Sequence, residues 1–462
     1  KEPALDISLA QYDSINSGSG VISSTGVMKS TSTSSLKSLT HFVPSRNIAK
    51  SINRVSAMAI LGISTILALS VLYGLNKGQT FHKKQPIGPY ALVSRQEGED
   101  FFQNFIFYEG KDSAGSNGYV TYVSREKAEK DGIVKLVSGQ SEYNAATDEN
   151  SDASALSTTE SSEWGDGIPA PEEETYVYIG TAATEEGPRD SIRLEGLQRF
   201  NRGLFIMDLK KMPAGCGIWP AFWLTDEHNW PINGEIDIIE GINYQSEAKT
   251  AMHTTNQCTM SHETIGHATG WWDTVIGVPN AQTGLPDMTM RYATDCYVYD
   301  AHQWLNQGCV AVDLEDGTMG QPLNEKGGGV FALEWDPINK HIRSWAFTPH
   351  SKVPSNLRDA LLTAGNEPDK RVAPNTQEWG LPYAYFAIGE GTDCAASHFK
   401  NMRIVLNTAL CGSVAGVRFF MDCPIQHKEF ATCDDWVKSN PKEVDDAHWL
   451  IRGIYVYERE WI

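Results

Sequence analysis

The chain has 462 residues, 58 of them acidic and 38 basic, for a net charge of −20. With 41% hydrophobic and 10% aromatic residues it can bury a sizeable core, which excludes a wholly disordered chain. The negative balance disfavours nucleic acid as a partner, and no G-x-x-x-x-G-K-[ST] run offers a nucleotide phosphate site.

Residues 1–54 are rich in Ser, Thr and Gly, as in SINSGSG and KSTSTSSLKS. They hold too little apolar surface to offset the entropy of ordering, and read as a disordered cytosolic tail. Val55 to Leu75 (VSAMAILGISTILALSVLYGL) carries no charge. As a helix it spans about 30 Å, the thickness of a bilayer core. It is too long and too far along the chain for a signal peptide, so residues 55–75 are expected to be a single transmembrane anchor. Residues 76–97, with Pro86 and Pro89, read as a polar linker. Lys37, Arg46, Lys50 and Arg54 before the anchor balance Lys77, Lys83, Lys84 and Arg95 after it, so the positive-inside rule gives no orientation.

The cysteines do give one. Cys216, Cys258, Cys296, Cys309, Cys394, Cys411, Cys423 and Cys433 all follow the anchor, and none forms a C-x-x-C pair. That excludes a zinc ribbon and suits disulfides in an oxidising compartment, with the pairing left open. A type II, single-pass arrangement is expected, with the C-terminal part extracellular or luminal. The charge divides accordingly. The first 75 residues hold six basic and three acidic residues, so the remainder carries −23.

From residue 98 to 462 the chain shows short β-branched and aromatic runs bounded by turn formers, among them GYVTYVSR, TYVYIG, RGLFIMDL, IWPAFWLT, GGVFALEW and IRGIYVY. This predicts an all-β domain. Its length suits a double-sheet jelly roll with long loops better than an immunoglobulin-like sandwich. A Ser/Thr/acidic tract, residues 138–163, reads as a surface insertion.

The chemistry concentrates in CGIWPAFWLTDEHNWPINGEIDIIEGINYQ, Cys216 to Gln245. Glu235, Asp237 and Glu240 alternate with Ile236, Ile238 and Ile239, the pattern of a strand. Glu235 and Asp237 share a face, whereas Glu240 has the wrong parity. One β-bulge near Ile238–Ile239 would return Glu240 to the acidic face. Three carboxylates on one face repel unless they share protons or hold a cation. Two of them could serve as the nucleophile and proton donor of a retaining glycosidase. Asp237 between them would keep their pKa values apart. Trp219, Trp223 and Trp230 just upstream offer flat apolar faces on which sugar rings stack.

These residues carry a resemblance. GIWPAFWLT…NWPINGEIDIIEGIN, AMHTTNQCTM, GGGVFALEWD, EWGLPYAYF, NMRIVLNTALCG and HWLIRGIYVYE are similar to glycoside hydrolase family 16, specifically the laminarinase-like endo-β-1,3(4)-glucanases of fungi, over about residues 98–458. The resemblance implies a jelly-roll, concanavalin A-like sandwich whose concave sheet forms the substrate cleft. It implies Glu235 as nucleophile, Glu240 as general acid/base and Asp237 as the support of the nucleophile. Trp219, Trp223, Trp230 and His253 would line the cleft, with Trp379 of the EWG run as a further platform. It implies a β-glucan partner and no cofactor or catalytic metal, and leaves a structural calcium unassigned. The segment after Cys258 looks longer than usual and could reshape one end of the cleft.

Three other readings are weaker. His262, Glu263 and His267 are spaced one residue too far apart for a zinc-protease helix. A non-catalytic glucan-binding lectin does not need the carboxylate trio. A membrane-anchored transglycosylase would use the same residues and differ only in the acceptor.

Overall fold

Strand formers in this chain come in runs of two to eleven residues, and they assemble into two large sheets. A computed structural model of the protein describes residues 88–112, 116–138, 174–260 and 266–459. In chain order the strands of the large sheets are β1 (Tyr90–Glu97), β2 (Phe105–Phe107), β3 (Val134–Ser138), β4 (Thr175–Ile179), β5 (Arg193–Gly196) and β6 (Gly203–Lys211). There follow β7 (Ile218–Thr225), β8 (Glu235–Glu240), β9 (Lys249–His253), β10 (Trp271–Trp272), β11 (Cys309–Val312) and β12 (Gly329–Asp336). The last are β13 (His341–Phe347), β14 (Ala384–Ala387), β15 (Arg403–Leu410) and β16 (Trp449–Arg459).

One sheet, the back sheet, has the order β14-β13-β12-β6-β16-β4-β3, with β1 also paired to β16. The other, the cleft sheet, runs β10-β11-β9-β8-β7-β15-β5-β2. All the pairings within both sheets are antiparallel, which lets each strand bury one face and turn the other outward.

Alternation builds the core. Phe205, Met207, Leu209, Phe331, Leu333 and Trp335 from the back sheet meet Phe222, Leu224, Ile236, Met252, Ile404 and Leu406 from the cleft sheet in one buried cluster. At roughly 1.5–3 kcal/mol per fully buried apolar side chain, this cluster is the main stabilising term. The opposite face of the back sheet is also covered. Helix α1 (Ser355–Thr363) lays Leu357, Ala360 and Leu361, spaced one turn apart, over Leu204, Ile206, Val330 and Ala332. Among the described residues the cleft sheet keeps an open outer face for chemistry.

All eight cysteines pair, as Cys216–Cys423, Cys258–Cys394, Cys296–Cys309 and Cys411–Cys433. Two of these bridges sit in a small satellite core with Ile218, Leu410, Phe419 and Val437, which fastens the segment after β15 to the start of β7.

Two expectations about organisation change. The linker read over residues 76–97 ends earlier, because Tyr90–Glu97 is a strand that pairs along β16 from Tyr90↔Arg459 to Glu97↔Gly453. Its polar residues misled because they alternate: Tyr90 is buried while Ala91 and Val93 are exposed, the signature of a strand with one solvated face. The tail 1–54, the anchor 55–75, the insertion 138–163 apart from Ser138, and His262 and Glu263 lie outside the described residues. Among the described residues no helix is long and apolar enough to cross a membrane.

Candidate active site

The central strand of the site starts at a glycine for a stereochemical reason. Gly234 has φ +74°, and a Cβ there would lie 2.5 Å from the His398 carbonyl oxygen. It turns the chain sharply into β8. Along β8 the pairing with β7 runs Thr225↔Glu235, Leu224↔Ile236 and Trp223↔Asp237, then jumps to Phe222↔Ile239 and Ala221↔Glu240. Ile238 has no partner. It is the extra residue of a bulge, at the place the parity argument required. Ile236, Ile238 and Ile239 all face the core, and the three carboxylates share the outer face.

The register then lays out three transverse rows on that face. Arg193, Asn407, Ala221 and Glu240 form the first. Glu195, Val405, Trp223, Asp237, Ala251 and Val310 form the second. Arg403, Thr225, Glu235 and His253 form the third. Thus Glu235 and Glu240 stand on either side of Asp237.

Burial makes Glu235 and Asp237 hungry for protons. Desolvation, and next the charge of Asp237, push Glu235 up to about 8, against the opposing pull of His253 and Arg193. Asp237 is buried more deeply, and desolvation followed by the charge of Glu240 raises it well above the carboxylate range. His253 Nε2 approaches Asp237 Oδ2 at 3.1 Å and Glu235 Oε1 at 3.8 Å. The 3.1 Å approach lacks hydrogen-bond alignment, so Oδ2 stays unpartnered. Glu235 has cationic support and Asp237 has only this misaligned contact. A proton shared by the pair therefore rests on Asp237 and leaves Glu235 as the carboxylate.

Trp223 lies on the cleft face beside Asp237. Its Nε1 donates to Asn407 Oδ1 at 2.8 Å, and the Arg193 guanidinium stacks on its ring at 5.2 Å. Arg193 also faces the Tyr108 ring at 5.3 Å and bonds Glu195 through Nε at 3.0 Å. Trp219 occupies the same face four residues earlier, and its Nε1 donates to Glu240 Oε1 at 2.9 Å. Trp230 rides on the loop between β7 and β8 and is 37% exposed. That loop is tied down at Asp226, whose Oδ2 accepts from the amides of Asn229, Asn233 and Asn401 at 2.6–3.0 Å. Burial opposes its ionisation, yet these amides and Arg199 hold Asp226 at about 2.

His253 and the three carboxylates therefore come together, with Trp219 and Trp223 beside them. Trp379 does not. It is 6% exposed, packs edge-on against Trp345 and Phe347 on the far side of the back sheet, and donates Nε1 to Asn356 Oδ1. The platform expected there is a wall of the second core.

Arg193 and Asn407 were not anticipated, although both carry a signal in the sequence. Each is a polar residue among buried aliphatics (SIRLEG, RIVLN), the pattern that marked the carboxylates. Part of the segment after Cys258 forms small hairpins, Thr274–Val275 with Arg291–Tyr292 and Val278–Pro279 with Pro286–Asp287. Val275 and Ala293 pack on Ala251 and Val310, which closes the outer face of β9 and β11 beyond Asp237.

Comparison with known proteins agrees with this geometry. Residues 169–457 match the family described as XgeA-like, catalytic GH16 domain. A probable endo-1,3(4)-beta-glucanase of Aspergillus fumigatus is 31% identical over 373 residues, which is 80% of this chain and 45% of that protein. The endo-1,3(4)-beta-glucanase xgeA of Emericella nidulans is 30% identical over 374 residues, covering 80% of this chain and 47% of its own length. The chain thus spans about half the length of these relatives. Among solved structures, an elongating GH family 16 beta-1,3-glucosyltransferase is similar with a TM-score of 0.56 at 30% identity, over 80% of this chain and 100% of that one. Laminarinase 16A of Phanerochaete chrysosporium, holding β-glucans in donor and acceptor sites, gives 0.57 at 25% identity, over 80% and 99%. The bulged acidic strand, the all-β sandwich and these matches place the chain in glycoside hydrolase family 16, among its XgeA-like catalytic domains.

Proposed function

We propose that the domain is a retaining endo-β-glucanase that cleaves β-1,3- or mixed β-1,3/1,4-linked glucan. The observation that carries this is the bulge at Ile238, which puts Glu235 and Glu240 on one face with proton-holding Asp237 between them. Glu235, kept as the carboxylate, attacks the anomeric carbon. Glu240 gives its proton to the departing glycosidic oxygen and then takes one from the water that hydrolyses the glycosyl-enzyme. Asp237 donates its proton toward the nucleophile side and so limits the charge on Glu235. Trp223 and Trp230 offer ring faces to the sugars. The fungal relatives named as endo-1,3(4)-beta-glucanases support the linkage class.

A second reading is transfer of the glycosyl unit to another sugar hydroxyl. The 30%-identical structure described as an elongating β-1,3-glucosyltransferase favours it. One experiment separates the two. A protein spanning residues 88–462 is incubated with laminarin, lichenan and cellulose, and the products are followed by NMR and chromatography. Hydrolysis with retention yields new β-anomeric reducing ends first, and transfer yields chains longer than the substrate. Inverted products, or no new species from any glucan, would sink the assignment.

We further propose a type II anchor at residues 55–75 with the catalytic domain outside the cell or in a lumen. The uncharged stretch supports the anchor, and four disulfides support the oxidising side. Protease added to intact cells or sealed vesicles should then reach the domain from one side only.

A further inference from the structure

Resting on the glycosidase reading, we infer that Trp219 is the positioning residue of Glu240: its indole N–H fixes which carboxyl oxygen carries the catalytic proton. Trp219 sits two residues before Ala221 on β7, and Ala221 pairs with Glu240. The two side chains are therefore diagonal neighbours on the cleft face, within reach across the ladder. Nε1 donates to Glu240 Oε1 at 2.9 Å. An indole N–H can only donate and has no second partner to offer. When Glu240 is protonated, the indole N–H favours the better acceptor, the carbonyl oxygen, at Oε1, and so favours the proton on Oε2.

Both ends of this hydrogen bond are clamped. The backbone N–H of Asn243, three residues after Glu240, donates to the Ile218 carbonyl at 2.9 Å, next to Trp219. The Asn243 side chain accepts from the Gly217 N–H at 2.8 Å and donates to Ala415 O and Asp422 Oδ2 at 3.2 and 3.0 Å. The Cys216–Cys423 disulfide closes the same corner. The donor strand and the loop leaving the acceptor strand thus form one braced unit. The other cleft-face tryptophan differs: the Trp223 N–H goes to Asn407 and reaches no carboxylate.

In the first half-reaction the Oε2 proton moves to the glycosidic oxygen as its bond to the anomeric carbon breaks and Glu235 bonds to that carbon. Glu240 becomes a carboxylate, and the indole N–H facing it becomes a donor to a charged acceptor, roughly twice as strong as a neutral pair. In the second half-reaction water attacks the anomeric carbon, its proton returns to Oε2, and Glu235 departs. Trp219 therefore acts on the protonation steps and leaves sugar affinity alone.

The test is Trp219→Phe in the full chain, which keeps a ring and deletes the donor. On laminarin kcat should fall roughly 10- to 100-fold, the worth of a hydrogen bond to a charged group, while KM stays within about twofold of wild type. Loss of a donor to the charged form disfavours that form, so the alkaline limb of kcat/KM should move up by about one pH unit. With aryl β-laminaribiosides the deficit should shrink as the leaving phenol becomes more acidic, because less proton donation is needed. Trp219→His, which keeps a ring N–H, should recover part of kcat. A raised KM with kcat intact would overturn the inference in favour of a stacking platform. A uniform loss with no change in pH profile or leaving-group dependence, together with a lower Tm, would overturn it in favour of a purely structural role. A wild-type chain that cleaves no glucan would instead defeat the glycosidase reading on which it rests.

Discussion

Two strands of this protein carry the same pattern, Glu-x-Asp with a histidine from the neighbouring strand. Glu235 and Asp237 with His253 occupy the cleft sheet, and Glu334 and Asp336 with His341 occupy the far face of the back sheet. Their electrostatics are opposite. Glu334 accepts from Tyr90 Oη, from His341 Nε2 at 2.9 Å, from Thr376 Oγ1 at 3.0 Å, and from the guanidinium groups of Arg343 and Arg459. Burial would raise it, but His341 and Arg343 outweigh burial and hold it far below the usual range. Glu235 is largely shielded from solvent and has no guanidinium hydrogen-bonded to it among the described residues, and the Nε of Arg193 goes to Glu195. The supply of cations decides which copy becomes a fixed anion pair and which becomes a pair that retains a shared proton.

That contrast can be broken in graded steps. Glu235→Gln and Glu240→Gln should each lower kcat on laminarin by about a thousandfold or more with the fold intact, measured as new reducing ends and by circular dichroism. Glu334→Gln leaves Arg343 without its carboxylate partner and Arg459 with only Asp336 at 3.7 Å, and should cost about 3–5 kcal/mol in urea unfolding, while turnover per folded molecule stays at the wild-type level. Trp379→Ala should cost a similar 3–5 kcal/mol, as for a buried tryptophan, and leave KM unchanged; a raised KM would restore it to the cleft.

The pH dependence of stability should run in opposite directions at the two sites. The Glu235–Asp237 pair is raised on folding, Glu235 from 4.5 to about 8, so the folded pair keeps a shared proton, resting on Asp237, that the unfolded chain releases over that window. Its contribution to stability falls as pH rises. Glu235→Gln should match wild type near pH 4 and exceed it by on the order of 2 kcal/mol near pH 8. Glu334 is depressed on folding, so its stabilisation is present above its unfolded value of 4.5 and lost as pH falls toward its folded value. The gap between wild type and Glu334→Gln should close in acid. The smallest effect is expected at Trp230→Ala, a rise in KM of about three- to tenfold from the loss of one exposed stacking face.

Much of this was legible in the sequence where local geometry decides. The period of two in GEIDIIEG and the misplaced parity of Glu240 located the bulge to within a residue, because parity is a property of the strand itself. The same logic would have found Arg193 and Asn407. What lay beyond reach depends on distant partners. Trp219, Trp223 and Trp379 are the same side chain, and only the partner of each indole N–H separates a carboxylate-holding group, a cleft wall and a core residue. The cysteine pairing behaves likewise, since Cys216 meets Cys423 across 207 residues. Strand β1 was missed because its partner lies at the other end of the chain: Tyr455 Oη donates to Glu97 across a separation of 358 residues.

The place of β16 in the back sheet has a consequence for biosynthesis. This strand lies between β6 and β4 and also holds β1, yet it follows every other described strand of both sheets in chain order. At about 5–20 residues per second, β1 waits on the order of tens of seconds for its partner. The middle of one layer is filled only after the other described strands of the sheet have been made. Until then three strands expose unpaired edges, and a nascent chain in that state needs protection from pairing with its neighbours. Removal of Trp449–Arg459 alone would take out the middle of the sheet.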